Sequence, residues 1–523
     1  GFGASQVLVE HYNARVTLLD GSEDPAGMNP TLTKSGRPFD HGVRGFWFDY
    51  PNINELVASL GLKEADVFTD FLPSAFYGPN GLEATAPVFS RNGVPQLPSP
   101  LGQIAATVTN FRRLPIKDRT SMFGLLYAMA DFVRDEETMR KYDRMSAHEL
   151  FIRFGLSKRL VDDFLAPTLL VGLFKPPHEL SAAVAMELLY FYALAHQTSF
   201  DVRWINNPRS IAANLFRPLH DRLCAAPGSR FVLQPSTFVT GLDFDDGRVT
   251  SVRCVTRSSS SSTPAERTID DVDAVVLAVG ANGMRKIMQG SAALCSAAPL
   301  LSQSASLGGI DVVAVRLWLD RKLSDHIAPA NVLSKLDALR GAGGTFFVLD
   351  DIQSNFKSEL WAVENELNGE DATNSDTSGH AEGTSLGSVL HCDLYNASGW
   401  LSMSDEDIVA EWMTELLPTA LPEISLANVV DSHVSKYPGA VSLFSPGSWN
   451  KRPTTRVPGV KNVVCAGDWV RMEEREHGAK GLCQERAYVS GMEAANVLKE
   501  KGIVEGKDGK EFKVVPVRED EPQ

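Results

Sequence analysis

The start of the chain constrains its fold most, because a glycine turn, a helix, an apolar strand and an acid follow one another there. Gly1 and Gly3 form the turn, and Asp20 ends the strand nineteen residues after Gly1. In dinucleotide sites such glycines let backbone N–H groups approach a pyrophosphate, and an acid ~20 residues further on binds a ribose hydroxyl. The pattern therefore predicts a nucleotide-binding unit in which Gly1, Gly3 and Asp20 contact the cofactor.

Two features of this unit depart from the dinucleotide pattern. Gln6 stands where a third glycine is usual, and no strand precedes Gly1. The strand before such a turn is normally central to the sheet. We therefore expect an incomplete gene product or a processed fragment.

The rest of the chain mixes short strands with amphipathic helices, which predicts an α/β fold. A hairpin is expected over 231–249, with Asp246-Gly247 as its turn. Residues 368–388 are polar and rich in glycine, which predicts a solvated loop insert, and the charged residues 503–523 predict a flexible tail. The predicted buried strands are 15–20, 272–279, 312–319, 345–349 and 462–466, and the predicted helices include 51–60, 118–133, 146–154, 157–173, 179–196 and 483–499.

Composition narrows the possible classes of protein. The chain has 523 residues, of which 43% are hydrophobic and 22% are charged, as in folded proteins of several domains. Its 50 basic and 65 acidic residues give a formal net charge of −15. This charge argues against nucleic acid as a partner, because sequence-independent binding needs a basic surface. The sequence contains no run of ~18 uncharged apolar residues, so no membrane span is predicted.

Three segments carry a resemblance to a known family. After Asp20 the chain reaches Ala26-Gly27, and residues 42–52 read Gly-Val-Arg-Gly-Phe-Trp-Phe-Asp-Tyr-Pro-Asn. Residues 462–469 read Asn-Val-Val-Cys-Ala-Gly-Asp-Trp. Together these segments resemble the FAD-dependent amine oxidase and phytoene desaturase superfamily, in particular the plant- and cyanobacterial-type carotene desaturases and their plastid relatives.

The resemblance implies an α/β (mixed α+β) protein with a Rossmann-like FAD-binding domain and a discontinuous substrate domain of sheet plus helices. The FAD-binding domain is expected over 1–75, 206–300 and 455–505. The substrate-binding domain is expected over 76–205 and 301–454.

The resemblance also implies site residues. The helix that follows Asp468 is expected to point its N-terminus at the flavin ring, where a helix dipole stabilises the reduced ring. Trp47 and Trp469 are expected to line the substrate side. Catalytic residues are not identified, and no metal is expected. The expected cofactor-binding residues are Gly1, Gly3, Asp20, Gly27, Gly42, Arg44, Val239, Gly467, Asp468 and Glu485.

The function implied is an FAD-dependent oxidoreductase that transfers hydride from a long apolar isoprenoid, such as a carotenoid, to flavin. Since carotenoids reside in bilayers, peripheral membrane contact is implied, and a larger protein complex is possible. The implied location is a chloroplast, or the cytoplasm or thylakoid surface of a cyanobacterium, without secretion.

Two other functions remain open at this point. A non-catalytic subunit with the desaturase fold is favoured by Gln6, Ala26 and Arg486, because each replaces a glycine of the family pattern, and by the absence of a strand before Gly1. An oxidase of small amines is the second alternative. The apolar segments 169–174 and 188–194 fit a lipid-like substrate better than a small cation.

Overall fold

The structure is a computed structural model. It describes residues 1–29, 31–99, 101, 102, 104, 105, 114–130, 132, 134–193, 195–257, 264–324, 326–361, 386–506 and 509–520. The predicted loop insert at 368–388 therefore lies outside the described residues except at its end. There Ser388 is fully buried and leads into a strand.

The described chain mixes strands with helices, as the predicted fold class requires, but they occur mostly in blocks and do not alternate. The strands are β1 (Val16–Leu19), β2 (Thr31–Leu32), β3 (Pro38–Phe39), β4 (Phe46–Trp47), β5 (Ser74–Gly78), β6 (Gly81–Ala86), β7 (Val202–Arg203), β8 (Phe231–Gln234), β9 (Thr237–Asp245), β10 (Arg248–Thr256), β11 (Ala265–Asp270), β12 (Val275–Leu277), β13 (Gly309–Leu319), β14 (Ala330–Leu333), β15 (Gly343–Val348), β16 (Val389–Tyr395), β17 (Val429–Ser442) and β18 (Val463–Cys465). The α-helices are α1 (Phe2–Gln6), α2 (Pro51–Ser59), α3 (Glu64–Val67), α4 (Ile116–Thr120), α5 (Met122–Ala130), α6 (Glu136–Tyr142), α7 (Ala147–Arg153), α8 (Lys158–Leu160), α9 (Ala166–Gly172), α10 (Ala182–Ala193), α11 (Arg217–Cys224), α12 (Ala281–Gln289), α13 (Ala292–Ala297), α14 (Pro299–Ser304), α15 (Leu349–Ile352), α16 (Asp405–Glu411) and α17 (Gln484–Glu500).

The glycine-turn unit folds as a helix followed by a parallel strand. Helix α1 continues as a π-helical segment, Val7–His11, before β1. Strand β1 pairs in parallel with β8, and β12 pairs in parallel with β18. These two pairs are separate two-stranded sheets in the described part of the chain. Parallel pairing with helical crossovers is the arrangement predicted for an α/β nucleotide-binding region.

The predicted hairpin at 231–249 is wrong at its start. Strand β8 ends at Gln234 and belongs with β1. The hairpin consists of β9 and β10, and Asp246 and Gly247 form its turn with φ of 43° and 76°. Positive φ at both turn residues is what a two-residue hairpin requires. Ser236, with φ of 50°, reverses the chain between β8 and β9 and so separates the two sheets.

A seven-stranded sheet forms the other half of the molecule, in the order β17-β13-β16-β15-β14-β5-β6. Its strands pair antiparallel except β14 with β5. One face is apolar and forms a core with the residues around Trp400 and Trp412. The opposite face looks towards α9 and α10, which are themselves almost entirely apolar.

Strand β17 lies at the edge of this sheet and was not predicted as a strand. It spans fourteen residues, includes Pro438, and alternates between half-buried and exposed side chains. Proline removes a donor from the strand, and an edge strand tolerates this because one of its sides is unpaired. Because its composition is polar, this long strand was not predicted from the sequence.

Residues 509–520 are not the loose tail that their charge predicts. Val515 exchanges hydrogen bonds with the Asn52 side chain, at 2.9 Å through its N–H and 2.8 Å through its carbonyl. Arg518 forms an ion pair with the buried Asp49 at 2.6 Å. Buried polar groups on the body supply the partners for this segment, which explains its ordered packing.

The predicted division into two domains stays a prediction. Strand β5 crosses the predicted boundary at 75 and belongs wholly to the seven-stranded sheet, so a boundary before Ser74 fits the strand better. None of the helices in the described ranges is long and apolar enough to cross a membrane.

Candidate functional site

A large cavity lies between the seven-stranded sheet, helices α9 and α10, and the N-terminus of α17. Its volume is about 800 Å³. Most of its lining side chains are apolar. Among those are Phe76, Ala84, Phe164, Leu189, Val332 and Phe347. The sequence did not locate this cavity, because its walls come from segments that are distant along the chain.

The N-terminus of α17 forms one end of the cavity. Cys483, Gln484 and Ala487 line the wall there. Cys483 precedes the helix, and its sulfur accepts a hydrogen bond from the backbone N–H of Arg486 at 3.4 Å. A helix N-terminus carries partial positive charge and favours an electron-rich group placed before it.

The turn after β18 brings Gly467 and Asp468 to the same end of the cavity. Gly467 has a φ of 137°, which side-chain-bearing residues rarely adopt, and its N–H donates to the Ser490 hydroxyl on α17 at 2.8 Å. Asp468 lines the cavity, and burial raises the pKa of its carboxyl against the opposing charges of Arg486 and Arg452. The turn is thereby tied to α17.

Arg486 does not obstruct this end of the cavity, although it replaces a glycine of the family pattern. Its side chain turns away and donates to the carbonyl oxygens of Asp468 at 2.8 Å and Val470 at 2.7 Å. It also pairs with Glu476. Burial alone would raise the pKa of Glu476, but Arg486 and Lys480 lower it well below the usual range. Arg486 therefore holds the loop between Asp468 and α17.

Glu485 holds a neighbouring helix and does not line the cavity, contrary to its prediction as a cofactor residue. One carboxylate oxygen accepts from the backbone N–H of Asn52 at 2.9 Å and from its side-chain amide at 2.7 Å. The other oxygen accepts from the Ile53 N–H at 2.9 Å. Burial raises the pKa of Glu485 to about 7, with these hydrogen bonds opposing the shift. The carboxylate thus caps α2.

The segment from Gly42 to Trp47 lines the cavity beside the end of α17. Gly42, Arg44 and Trp47 all contribute to the wall. The Trp47 ring packs on Tyr192 with centroids 4.5 Å apart, and the Tyr192 and Tyr50 hydroxyls lie 3.3 Å apart. Burial raises the pKa of both tyrosines well above the ordinary value. The structure therefore brings Gly42, Arg44 and Trp47 together with Asp468.

Trp469 is a core residue rather than a substrate-lining one, contrary to the prediction. It is almost fully buried, and its indole N–H donates to the Val279 carbonyl at 3.0 Å. Its ring packs beneath Gly467, where a Cβ would lie 3.0 Å from the ring. Because the ring is covered by these neighbours, it does not reach the cavity.

The predicted residues of the glycine-turn unit lie together at a distinct place, around β1. A Cβ on Gly1 would lie 3.1 Å from Leu18. The Asp20 carboxylate accepts from the Ser22 N–H at 2.8 Å, and the Asp20 carbonyl accepts from the Thr237 N–H at 2.8 Å. Val239 follows on the same strand, β9. Gly1, Asp20 and the start of β9 therefore adjoin one another.

Gly3 has a second role that the sequence did not indicate. A Cβ on Gly3 would lie 2.2 Å from the Tyr488 carbonyl oxygen, and one on Gly491 would lie 2.7 Å from the Ala4 nitrogen. Glycines at both positions allow α1 and α17 to cross at close range. This crossing connects the glycine turn to the helix that ends at the cavity.

The Ala26-Gly27 turn shows why a glycine pair is usual there. Ala26 has a φ of 61° and Gly27 a φ of 71°, so both residues are left-handed. Ala26 bears this conformation with a side chain, which costs about 1–2 kcal/mol. The Gly27 carbonyl accepts from the Ser210 hydroxyl at 2.7 Å, and a Cβ on Gly27 would lie 4.0 Å from the His41 ring.

A chain of buried polar residues, which was not predicted, lies on the cavity face of the large sheet. Arg316 donates through Nε to Nδ1 of His391 at 3.2 Å, and Nε2 of His391 lies 3.1 Å from Asp393. Asp393 and Tyr395 line the cavity. The pattern His391-x-Asp393-x-Tyr395 has the period of a strand face. That period was the available signal.

Of the two histidines near the predicted motifs, His477 is structural, whereas His41 lies at the cavity. Burial lowers the pKa of His477 to about 4. Nδ1 of this neutral ring accepts from the Ala479 N–H at 3.2 Å, so Nε2 carries the proton and donates to the Val515 carbonyl at 3.1 Å. His41 lines the cavity and contacts the Tyr437 hydroxyl. Within the ranges described, no His, Cys, Asp and Glu residues form a metal-binding group.

The residues at the end of α17 fit an isoalloxazine ring. The wall offers a helix N-terminus, the small side chains of Cys483 and Ala487, and the glycine-containing segment at Gly42. Gly467 has a φ of 137°, which residues with a side chain rarely adopt. The Gly27 turn has left-handed backbone, and the acid Asp20 follows the end of β1. These features suit an extended dinucleotide that reaches from β1 to the cavity.

Comparison with known proteins agrees with this geometry. A family model described as flavin containing amine oxidoreductase matches residues 4–499. The 15-cis-phytoene desaturase of Synechococcus elongatus is 23% identical over 442 residues, which cover 83% of this chain and 81% of that protein. The chloroplastic/chromoplastic 15-cis-phytoene desaturase of Glycine max is 23% identical over 451 residues, which cover 84% of this chain and 68% of that protein.

Solved structures share the same architecture. A putrescine oxidase bound to putrescine matches with a TM-score of 0.59 at 13% identity, covering 95% of this chain and 96% of that chain. An oxidoreductase from Methanosarcina mazei matches with a TM-score of 0.56 at 11% identity, covering 94% of this chain and 96% of that chain. At such identities these matches show the fold alone.

Proposed function

This chain belongs to the family of flavin-containing amine oxidoreductases, and from that premise we propose that it is an FAD-dependent, carotenoid desaturase-like enzyme that removes hydrogen from a long apolar isoprenoid. The observation that carries the proposal is the cavity of about 800 Å³, which runs from apolar walls to the N-terminus of α17. An apolar cavity of this size favours a lipid-like substrate.

The proposed FAD would extend from β1 to the cavity. Gly1, Gly3, Asp20, Gly27 and Val239 are proposed for its adenosine and diphosphate end. Gly42, Arg44 and Asp468, which line the cavity, and Gly467, in the turn beside them, are proposed for its flavin end. Glu485 is left out, because both of its carboxylate oxygens are occupied by α2.

Bound FAD would supply the two-electron acceptor for this chemistry. The protein's own part is to orient the substrate and to exclude water. Phe76, Val332 and Phe347 form an apolar floor from the sheet, and Leu189 and Phe164 form the opposite wall. Trp47, held against Tyr192, closes the cavity beside the end of α17.

Peripheral membrane contact is part of the proposal, because an apolar surface patch continues the cavity outwards. We define the patch as Leu101, Ile116, Phe123 and Tyr127, whose exposed fractions are 56%, 75%, 57% and 67%. Ile116 and Phe123 also line the cavity. Exposed apolar side chains at a cavity mouth favour an interaction with an apolar surface, and through Ile116 and Phe123 an apolar substrate would enter from a bilayer.

The carotenoid assignment and the location rest on the relatives. The relatives named above are 15-cis-phytoene desaturases from a cyanobacterium and from plants, the latter chloroplastic/chromoplastic. We therefore propose a carotenoid or related isoprenoid as substrate and a plastid or a cyanobacterial cell as location. Membership of a larger complex stays a prediction.

The test begins with the visible absorption spectrum of the purified protein, with heat-released cofactor quantified against protein. Flavin bands near ~370 and ~450 nm at about one per chain are expected. Bleaching of the ~450 nm band by phytoene in vesicles, without oxygen, would support the substrate class. A folded protein that takes up no FAD would instead identify the non-catalytic subunit. Bleaching by putrescine alone would favour the amine oxidase alternative.

Two matched variants separate cofactor binding from substrate binding. Ala487→Phe places a ring at the α17 end of the cavity, whereas Ala84→Phe places one on the apolar floor. We expect Ala487→Phe to lose flavin and Ala84→Phe to keep flavin but bind the apolar substrate weakly. Loss of flavin in both variants to the same extent would contradict the proposed arrangement.

A further inference from the structure

The cavity floor is divided into an apolar half and a polar half. On β14, β5 and β6 it presents Val332, Phe76 and Ala84. On β13, β16 and β17 the same face presents Arg316, Asp393 and Tyr437, since β13 pairs Arg316 with His391 and Val312 with both Tyr395 and Tyr437. A hydrocarbon ligand would match the apolar half but would offer no hydrogen-bond partner to the polar half.

The polar half contains a hydrogen-bonded chain, which we name the Asp393 relay: Arg316, His391 and Asp393, with the pair Tyr395 and Thr345 beside it. The exposed fractions of Arg316, His391 and Asp393 are 4%, 1% and 3%. Arg316 donates to His391 at 3.2 Å, so His391 holds its proton on Nε2 and donates to Asp393 at 3.1 Å. The Tyr395 and Thr345 hydroxyls lie 3.0 Å apart.

The relay ends at the cavity as a hydrogen-bond acceptor. Tyr395 neighbours Asp393 on the same face of β16, and burial is the main cause that raises the pKa of Tyr395, with the charge of Asp393 adding to it. The Asp393 carboxylate lines the cavity and lies 3.9 Å from the position of a Cβ on Gly42. A carboxylate covered by a purely apolar ligand would lose water without gaining a partner, which is costly.

The charges around the relay balance. Arg316 interacts electrostatically with Asp40 and Asp393. Tyr437 interacts electrostatically with both carboxylates and with Arg44. With all four groups ionised, the two arginines offset the two carboxylates. A neutral donor therefore fits this end of the cavity better than an ammonium group.

From this arrangement we propose that the cavity binds an isoprenoid that carries a hydroxyl group, with the hydroxyl donating to Asp393 and the apolar chain lying on the floor formed by Phe76, Ala84 and Val332. The proposal deepens the proposed function and rests on it, because it names the class of apolar substrate. The polar half of the cavity would then recognise the oxygenated end, and a hydrocarbon would bind less tightly.

The test compares geranylgeraniol with its methyl ether, which keeps the chain and the oxygen but cannot donate. Binding to the FAD-loaded protein is measured by partition from phosphatidylcholine vesicles. We expect the alcohol to bind at least about tenfold more tightly, since a hydrogen bond to a charged group contributes that much. In Asp393→Leu the ratio should fall to about one, because the acceptor is gone.

Asp393→Asn serves as a second variant that preserves shape, in case Asp393→Leu does not fold with Arg316 left unpaired. Its amide oxygen accepts a neutral hydrogen bond, roughly half as strong as the charged one, so the ratio should fall to an intermediate value. Thr168→Val is the control. Its hydroxyl lines the cavity but already donates to the Phe164 carbonyl at 2.8 Å, so the ratio should not change.

Flavin content is measured on every sample, so that the two proposals fail separately. Equal binding of alcohol and ether by a protein that holds FAD would overturn this inference and leave the desaturase-like function standing. Binding of neither probe by the FAD-loaded protein would also overturn it. Absence of both FAD and probe binding would overturn the proposed function itself.

Discussion

Replacing Gly3 with alanine tests whether this residue serves only a cofactor or also the crossing of two helices. The added Cβ would lie 2.2 Å from the Tyr488 carbonyl oxygen. Ordinary contact is ~3.5 Å, so the helices would have to separate by about 1 Å. The obstructing atom belongs to the backbone of α17, and no side-chain rotation removes the overlap.

The expected cost follows from two opposing effects. Overpacking of this kind costs about 1–3 kcal/mol, and the upper end applies because the backbone must move. Alanine in place of glycine within a helix returns about 1 kcal/mol. We therefore expect Gly3→Ala to lower the free energy of unfolding by about 2 kcal/mol even without cofactor.

The assay is urea unfolding of the cofactor-free protein, followed by far-ultraviolet circular dichroism. Gly280→Ala is the matched control, since nothing lies within 4 Å of its added Cβ. It precedes α12, and its change should stay below about 1 kcal/mol. Gly491→Ala should resemble Gly3→Ala, because its Cβ would meet the Ala4 nitrogen at 2.7 Å. If cofactor-free Gly3→Ala were as stable as wild type, the packing argument would be refuted.

Three further predictions concern turns, protonation and the two tryptophans. Ala26→Gly should raise the free energy of unfolding by about 0.5–1 kcal/mol, because relief of a left-handed φ outweighs the added freedom of the unfolded chain; an unchanged urea midpoint would contradict this. The folded pKa of His477 is about 4, so its contribution to stability increases as pH rises from 4 to 6.5. The folded pKa of Glu485 is about 7, so its contribution decreases as pH rises from 4.5 to 7, and the two effects offset each other. His477→Gln should therefore leave a stability that falls with pH across that range, measured by urea unfolding at each pH, and a rise would show the sign to be wrong. Trp469→Phe should lower the free energy of unfolding by about 1 kcal/mol without weakening apolar ligand binding, whereas Trp47→Phe should weaken ligand binding. A loss of ligand affinity in Trp469→Phe as large as that in Trp47→Phe would show that Trp469 lines the cavity.

Local signals were sufficient for much of the fold. The apolar strand before Asp20, the strand before Gly467 and the helix after Cys483 follow from hydrophobic runs and glycine turns, and all lie where they were predicted. The Asp246-Gly247 turn required only two residues that accept positive φ. Strand β17 was not predicted, because an edge strand does not require apolar side chains on both faces. It also does not require every backbone N–H to pair with a neighbouring strand.

Some segments that line the candidate site follow from local signals, whereas the role of each residue in cofactor binding stays a prediction. Arg44 and Asp468 stand in segments whose pattern is local, and the structure places both on one cavity. The prediction was wrong for Trp469, since a large aromatic beside a glycine turn fits a core and a cavity wall equally well in sequence. Glu485 was assigned to a cofactor, whereas its carboxylate caps α2, a helix more than four hundred residues away in the chain.

What the sequence by itself determined is the set of local units: the glycine turns, the strand and helix periods, and the acid at the end of β1, since each depends on a few neighbouring residues. Only the tertiary structure decided that Arg486 turns away from the cavity and that Arg316, His391 and Asp393 join into one chain. A buried polar group takes whichever partner the packing of distant segments provides. The choice of partner is therefore a property of the fold.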